Sequence, residues 1–340
     1  MYIEKDINNI DLSMWREFVK GHPKSSVFQT PEMYEVYKQT PNYVPLIFMA
    51  IHENGSCIGI LLACIISEGE GVIGKFSSRS IIQGGPLVKD DDLEICNRLL
   101  QEYNMYVSDK AIYTQIRNQY DNLSLNDAFQ CNGYVFESHL NFIINTEYDD
   151  KTIWNKIGKS RKSHIKKAYS NGLIVECYAN DKIDCNLITQ GYLIIKEVYH
   201  NARLPLASID LFMNMSKSGN LVLFVVKYNN IIIGCRFALA YNNILYGWYA
   251  GSYSLYYSKF PNDILIWETL KWAHYNNYKW FDYGGAGNPN KPYGVRKFKS
   301  QIGGDLVNFG RYECVHKEIK YKIGVLAYRI FKLYKSLFKK

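Results

Sequence analysis

The chain has 340 residues, 47% of them hydrophobic and 21% charged, which excludes a disordered protein and favours two cores over one. Its net charge of +8 hides an asymmetry: residues 1–147 carry 11 Lys/Arg against 19 Asp/Glu, and residues 148–340 carry 29 against 13, so the second half suits an anionic partner. No apolar run reaches membrane-spanning length, no basic-then-apolar leader opens the chain, and eight scattered cysteines lack a CxxC pair; a reducing cytoplasm is expected, and zinc is not.

Helices are expected at Trp15–Lys20 and at Pro31–Lys38, the second with Thr30 as N-cap and proline at its first position. Pro45–Ile51 and Cys57–Ile66 form a hairpin across Glu53-Asn54-Gly55. A loop at Gly84-Gly85-Pro86 follows, then a helix over Asp90–Val107 with acids at its positive end and a strand at Ala111–Ile116. The same order returns in the second half. Helices at Leu187–Val198 and Ser208–Met215 lead to a hairpin of Leu221–Lys227 and Ile231–Leu239 across Tyr228-Asn229-Asn230, a strand Ile244–Ala250, a helix Asn262–Tyr275 and a strand Trp280–Tyr283. Residues 48–59 parallel residues 224–234, so one α/β module is repeated about half a chain apart.

Between the copies, residues 154–168 read as one basic helix with Trp154, Ile157, Ile165 and Ala168 on its apolar stripe. Its cations suit phosphates or form a solvated face. From Lys317 to Lys340 there are eight Lys/Arg and a single acid, with Ile323, Leu326, Ile330, Leu333 and Leu337 at helical spacing. This helix is expected to pack on the first domain, the alternative being contact with an anionic membrane.

The densest functional signal is Lys279–Gly304. It holds a short aromatic strand ending at Asp282, glycine pairs at Gly284-Gly285 and Gly303-Gly304, and a polar loop that closes on Arg296-Lys297-Phe298-Lys299. Glycines after a strand let backbone approach a ligand, although spacing alone favours a surface loop with basic residues on a solvated helix face. The counterpart after Ile116 has neither the glycine pair nor a Phe-Lys. No HExxH, GxSxG, P-loop or GxGxxG motif is present, which leaves hydrolase, kinase and dehydrogenase readings without residues.

In order and spacing, Tyr246–Ser252, Ile264–Ala273, Phe281–Gly285 and Phe298-Lys299 resemble the FemABX-type aminoacyl transferases, the peptidoglycan-bridge ligases. The basic helix and Gln83–Pro86 also look like their family counterparts. The resemblance implies an α/β (α+β) fold of two tandem GNAT-like acyltransferase domains, mixed sheets flanked by helices. The expected domains are 1–147, with helix 317–340 packed on it, and 148–316, carrying the catalytic segment. It further implies transfer of an aminoacyl group from aminoacyl-tRNA to an amine of a cell-envelope precursor, nucleotide- or lipid-linked, without metal or cofactor. Phe298 and Lys299 match the catalytic pair, with the lysine stabilising the oxyanion or anchoring the tRNA end. Tyr249 and Tyr113 match substrate-contacting tyrosines, and Asp282 is placed with them. Lys38 lies near a phosphate-binding lysine, and Arg203 lies close to, but off the register of, an arginine that grips nucleotide-sugar phosphate. Lys159, Arg161, Lys162, Lys166, Arg296 and Lys297 are the expected contacts to the donor tRNA. One departure is Asn118, which stands where a branch of the family has an acid. The alternatives are an acyl-CoA-dependent N-acyltransferase acting on an amino sugar or surface-polymer precursor, and a non-catalytic binding scaffold. The expected location is cytoplasmic, including the inner face of the membrane.

Overall fold

A computed structural model describes residues 1–67 and 78–326. The chain divides into two compact units, Met1–Glu137 with the segment from Phe309 onward, and Ser138–Asn308.

The strands in chain order are β1 (Tyr2–Glu4), β2 (Tyr43–Ile51), β3 (Cys57–Ile66), β4 (Arg79–Gly84), β5 (Leu87–Val88), β6 (Tyr113–Asn118), β7 (Val135–Glu137) and β8 (Leu140–Asn145). They continue with β9 (Ile174–Ala179), β10 (Leu221–Tyr228), β11 (Ile231–Tyr241), β12 (Ile244–Ser252), β13 (Trp280–Gly287), β14 (Asp305–Val307) and β15 (Arg311–Val315). The first unit's sheet runs β1-β2-β3-β4-β6-β15-β7, with β5 on β3, and the second unit's runs β14-β8-β13-β12-β11-β10-β9.

Local chemistry sets the elements. Thr30 caps Pro31–Lys38 by accepting from the Met33 amide, and Asp92 caps Leu93–Val107. The β10–β11 turn places Asn229 and Asn230 at φ 49° and 63°, the left-handed pair that a tight hairpin requires and asparagine tolerates. The expected repeat is present: β2, β3, β4, helix Leu93–Val107 and β6 correspond to β10, β11, β12, helix Pro261–Tyr275 and β13. In each unit the strands flanking the helix, β4/β6 and β12/β13, pair in parallel.

The copies differ at that parallel pair. In the first unit it holds for six residue pairs, from Arg79↔Tyr113 to Gly84↔Asn118. In the second it holds for three, from Ile244↔Trp280 to Tyr246↔Asp282, and then stops. Beyond it, β13 turns to β8 with register shifts after Asp282 and after Gly285. Phe142, Ile144, Phe224, Phe281, Ile264 and Leu270 form part of the buried core between this sheet and helix Pro261–Tyr275.

Three sequence expectations need correction. The domain boundary lies at 137/138, because β8, assigned to the first domain, sits between β14 and β13 in the second sheet. Conversely, β15, assigned to the second domain, pairs with β6 and β7 of the first. The basic segment is two helices, Asp150–Lys156 and Lys159–Ser170. They are broken at Gly158, whose amide donates to Gln301 O at 2.8 Å and whose missing Cβ would lie 3.3 Å from that oxygen. The C-terminal helix is described over 318–326, where Tyr321 lies edge-on to Tyr113 at 5.5 Å and its hydroxyl donates to Glu313. Ile330, Leu333 and Leu337 lie outside the described residues. Among the described residues no helix is long and apolar enough to cross a membrane.

Candidate active site

Where β12 and β13 part, the second unit has a cavity of about 480 Å³, lined by Arg236, Tyr246, Trp248, Tyr249, Phe298 and Lys299 among others. Both strands are irregular there. On β12, Tyr249 pairs with Phe237 and Gly247 with Ala238, which leaves Trp248 as a bulge. On β13, Gly284 has φ +72°, and a Cβ on Gly285 would lie 2.9 Å from His139 Nε2, so the glycine pair is needed for the strand to turn past its neighbour.

Lys299 projects from helix Gly294–Ser300 onto this turn and is buried. Its Nζ donates to the carbonyls of Tyr283, Gly284 (3.1 Å) and Gly285 (3.0 Å). Burial, reinforced by Arg236 and opposed by Asp282, pushes its pKa down to about 7. The three carbonyls, which can only accept, favour the protonated ammonium. Asp282 is also buried; its carboxylate accepts from the Gly284 amide at 2.7 Å, and burial raises its pKa to about 6. Lysine and aspartate thus clasp the glycine step from two sides. With its three hydrogens engaged by backbone, the ammonium must release a carbonyl before it can serve an oxyanion.

Arg236 on β11 was not singled out by the sequence. It is 4% exposed, its guanidinium carbon lies 5.1 Å from the Tyr283 ring and 5.5 Å from the Phe281 ring, and its Nε has no hydrogen-bond partner. No carboxylate of the described residues pairs with it. An unpaired buried cation costs several kcal/mol, so it calls for a reason. The available signal was a lone arginine inside the apolar run Ile231–Ala240, since a charge there is rarely left without a partner.

The other expected site residues divide. Tyr249 lines the cavity, its ring 5.5 Å from Tyr199 and 4.8 Å from Phe212. Phe298 lines it too, under the Arg161 guanidinium at 5.0 Å. Arg161 faces inward: it pairs with buried Asp263 at 2.9 Å and donates to Gln301 at 2.9 Å. Arg296 is spent on the carbonyls of Ala286, Asn288, Pro289 and Lys291, which shape the polar loop. Neither arginine therefore presents the free guanidinium expected of a tRNA contact. Lys159, Lys166 and Lys297 are exposed, and Lys162 donates to Asn155 O. Arg203 is exposed at the left-handed end of helix Cys185–Ala202 and does not line the cavity, although Ala202 and Leu204 do. Tyr113 and Lys38 belong to the first unit, the former against Tyr321 and the latter exposed beside Glu35. Among the described residues no group of His, Cys, Asp and Glu could hold a metal ion.

The turn from β12 to the following helix bears on donor choice. It is a 3-10 segment, Ser254–Lys259, then Phe260 at φ 62° and Pro261 at the first helical position, without a side-chain cap. Proline removes one of the amides a phosphate would use, and the Q/RxxGxG/A pattern of a pyrophosphate cradle is missing.

Residues 208–299 match the family model described as an acetyltransferase (GNAT) domain. No curated protein sequence matches the chain. Among solved structures, FemX superposes with a TM-score of 0.72 at 15% identity, covering 95% of this chain and 99% of its own. The C-terminal domain of a putative lysylphosphatidylglycerol synthetase from Agrobacterium fabrum gives 0.59 at 11%, covering 93% and 94%. A tandem GNAT protein from the clavulanic acid biosynthesis pathway gives 0.57 at 7%, covering 93% and 98%. The chain thus has the tandem GNAT-like fold of FemX type, and the part of its second unit over residues 208–299 is similar to acetyltransferase (GNAT) domains.

Proposed function

We propose that the protein is an N-acyltransferase that moves an aminoacyl group from aminoacyl-tRNA to an amine of a cell-envelope precursor, within the second unit's cavity. The observation that carries this reading is the opening between β12 and β13, with two buried cations and aromatic walls, in a chain that superposes on FemX over nearly its whole length. The name of a second similar structure joins an amino acid to a lipid headgroup, in keeping with an aminoacyl donor. The acceptor nitrogen attacks the ester carbonyl, the C–N bond forms, and negative charge collects on oxygen beside the buried cations. The ester C–O bond then breaks, and the ribose oxygen leaves with the proton shed by the amine. A cation held beside that oxygen, once Lys299 has released one of its backbone carbonyls, stabilises the oxyanion more than solvent would. Exposed Lys159, Lys166 and Lys297 would meet the tRNA backbone, and no further cofactor is required.

Transfer from acyl-CoA to an amino sugar is the second reading, favoured by the GNAT family match and disfavoured by the β12-to-helix turn. Incubating the protein with charged tRNA or with acyl-CoA, and following amide formation on candidate amines, separates the two. Amide formation with charged tRNA is expected; transfer from CoA alone overturns the proposal, and binding of both without turnover leaves a non-catalytic scaffold.

A further inference from the structure

We propose that Arg236 is the floor of an anion subsite in the second unit's cavity, which takes a single carboxylate or phosphate group of the bound substrate. The acyl-transfer reading supplies only the word substrate; anion binding stands on the geometry alone. Three features converge on it. Arg236 is buried and lines the cavity, yet its Nε has no partner. Its neighbours are the rings of Phe281 and Tyr283, with a side-chain hydrogen bond to Tyr283; neither neutral ring supplies the negative charge that would balance the guanidinium. Gly247 keeps the approach open, because a Cβ there would lie 3.1 Å from Arg236 Nη1 and 3.3 Å from Asp282 O.

Nothing nearby neutralises it. Asp282 is the carboxylate that acts on Lys299, and its Oδ1 is already engaged by the Gly284 amide. Lys299 adds a second cation whose pKa Arg236 helps to depress. An arginine kept only to pack the core would be expected to have its nitrogens satisfied by backbone, as those of Arg296 are. One oxyanion accepting from the guanidinium where it lines the cavity offsets the charge of both cations.

The test is titration calorimetry of the whole protein with sodium phosphate and, separately, sodium acetate at constant ionic strength. Wild type is expected to bind at least one of them saturably. A tighter phosphate arm assigns a phosphate-bearing substrate, and a tighter acetate arm a carboxylate. Arg236→Gln should weaken binding tenfold or more, while Lys182→Gln, at an exposed lysine of the same unit, leaves it unchanged. No binding by wild type, or equal binding by Arg236→Gln, overturns the subsite. Should Arg236→Gln melt without cooperativity, Arg236→Lys decides: loss of the planar fork should weaken binding several-fold, and unaltered affinity refutes the proposal. Arg236-dependent binding in a protein that transfers no acyl group keeps the subsite and removes the enzyme; acyl transfer with no anion binding does the reverse.

Discussion

Lys299 has a structural role on the glycine step, and the catalytic role proposed for it separates from that one experimentally. Removing its side chain strips three backbone carbonyls of their donor, each worth about 1–3 kcal/mol if left buried and unpaired. Lys299→Ala should therefore lower the melting temperature and reduce turnover by roughly a hundredfold, the scale of losing an oxyanion donor; undiminished turnover removes the lysine from the mechanism. Its titration has a definite sign. The folded pKa of about 7 lies below the ordinary 10.5, so between those values the folded state binds fewer protons than the unfolded one, and stability rises with pH. Asp282 is raised from 3.8 to about 6, so the folded state binds more protons in that window, and stability falls as pH rises through it. His316, pushed down to about 4 by burial, adds the opposite slope between about pH 4 and 6.5, so each contribution is read as the difference in urea midpoint between wild type and variant. Lys299→Met should remove a rise above about pH 7, and Asp282→Asn a fall between about pH 4 and 6. Lys299 was legible through the resemblance of Phe298-Lys299 to the FemABX catalytic pair, the glycine-rich stretch alone reading equally as a surface loop; Arg236 was not, since a lone base in a strand carries no spacing signal.

At the scale of elements, hairpins were the most legible feature, because their turns are local. Cys57–Ile66 has the expected bounds, and the Asn229-Asn230 turn has the left-handed geometry its residues favour. Strands β8, β9 and β15 escaped notice. They span only five or six residues, and β8 and β15 find their main partners more than a hundred residues away, where no turn chemistry announces the pairing. The basic segment shows a further limit: composition identified its cations, but only packing tells which face inward. Arg161 holds Asp263, whose pKa burial raises, while Lys159 and Lys166 on the same helix are exposed. Arg161→Ala should destabilise the protein in urea unfolding by up to about 3–5 kcal/mol, the cost of breaking a buried pair, less what His164, 3.5 Å from the same Asp263 oxygen, recovers. The double change Lys159→Gln and Lys166→Gln should leave stability within about 0.5 kcal/mol but weaken tRNA binding, with a shallower dependence of affinity on salt. An unchanged salt slope would show that this face does not meet the tRNA.

For the whole molecule, the chain does not divide where its charge does. The composition shifts near residue 147, but the first unit's sheet is completed by β15, after the chain has built the entire second unit. The second unit in turn begins ten residues before that shift, with β8 beside β13. Excising residues 148–316 would remove Leu140, Phe142 and Ile144 from the core, each worth about 1.5–3 kcal/mol of burial. It would also leave the amides and carbonyls of β13 unpaired on the side that carries the glycine step. That loss is comparable with the 5–15 kcal/mol that typically separates folded from unfolded states. Residues 138–308 should therefore give a cooperative thermal transition and retain the Lys299 titration near pH 7, whereas residues 148–316 should not. If both fragments melt alike, β8 is dispensable, and the second unit's stability rests on helix Pro261–Tyr275 and the β9–β12 meander alone.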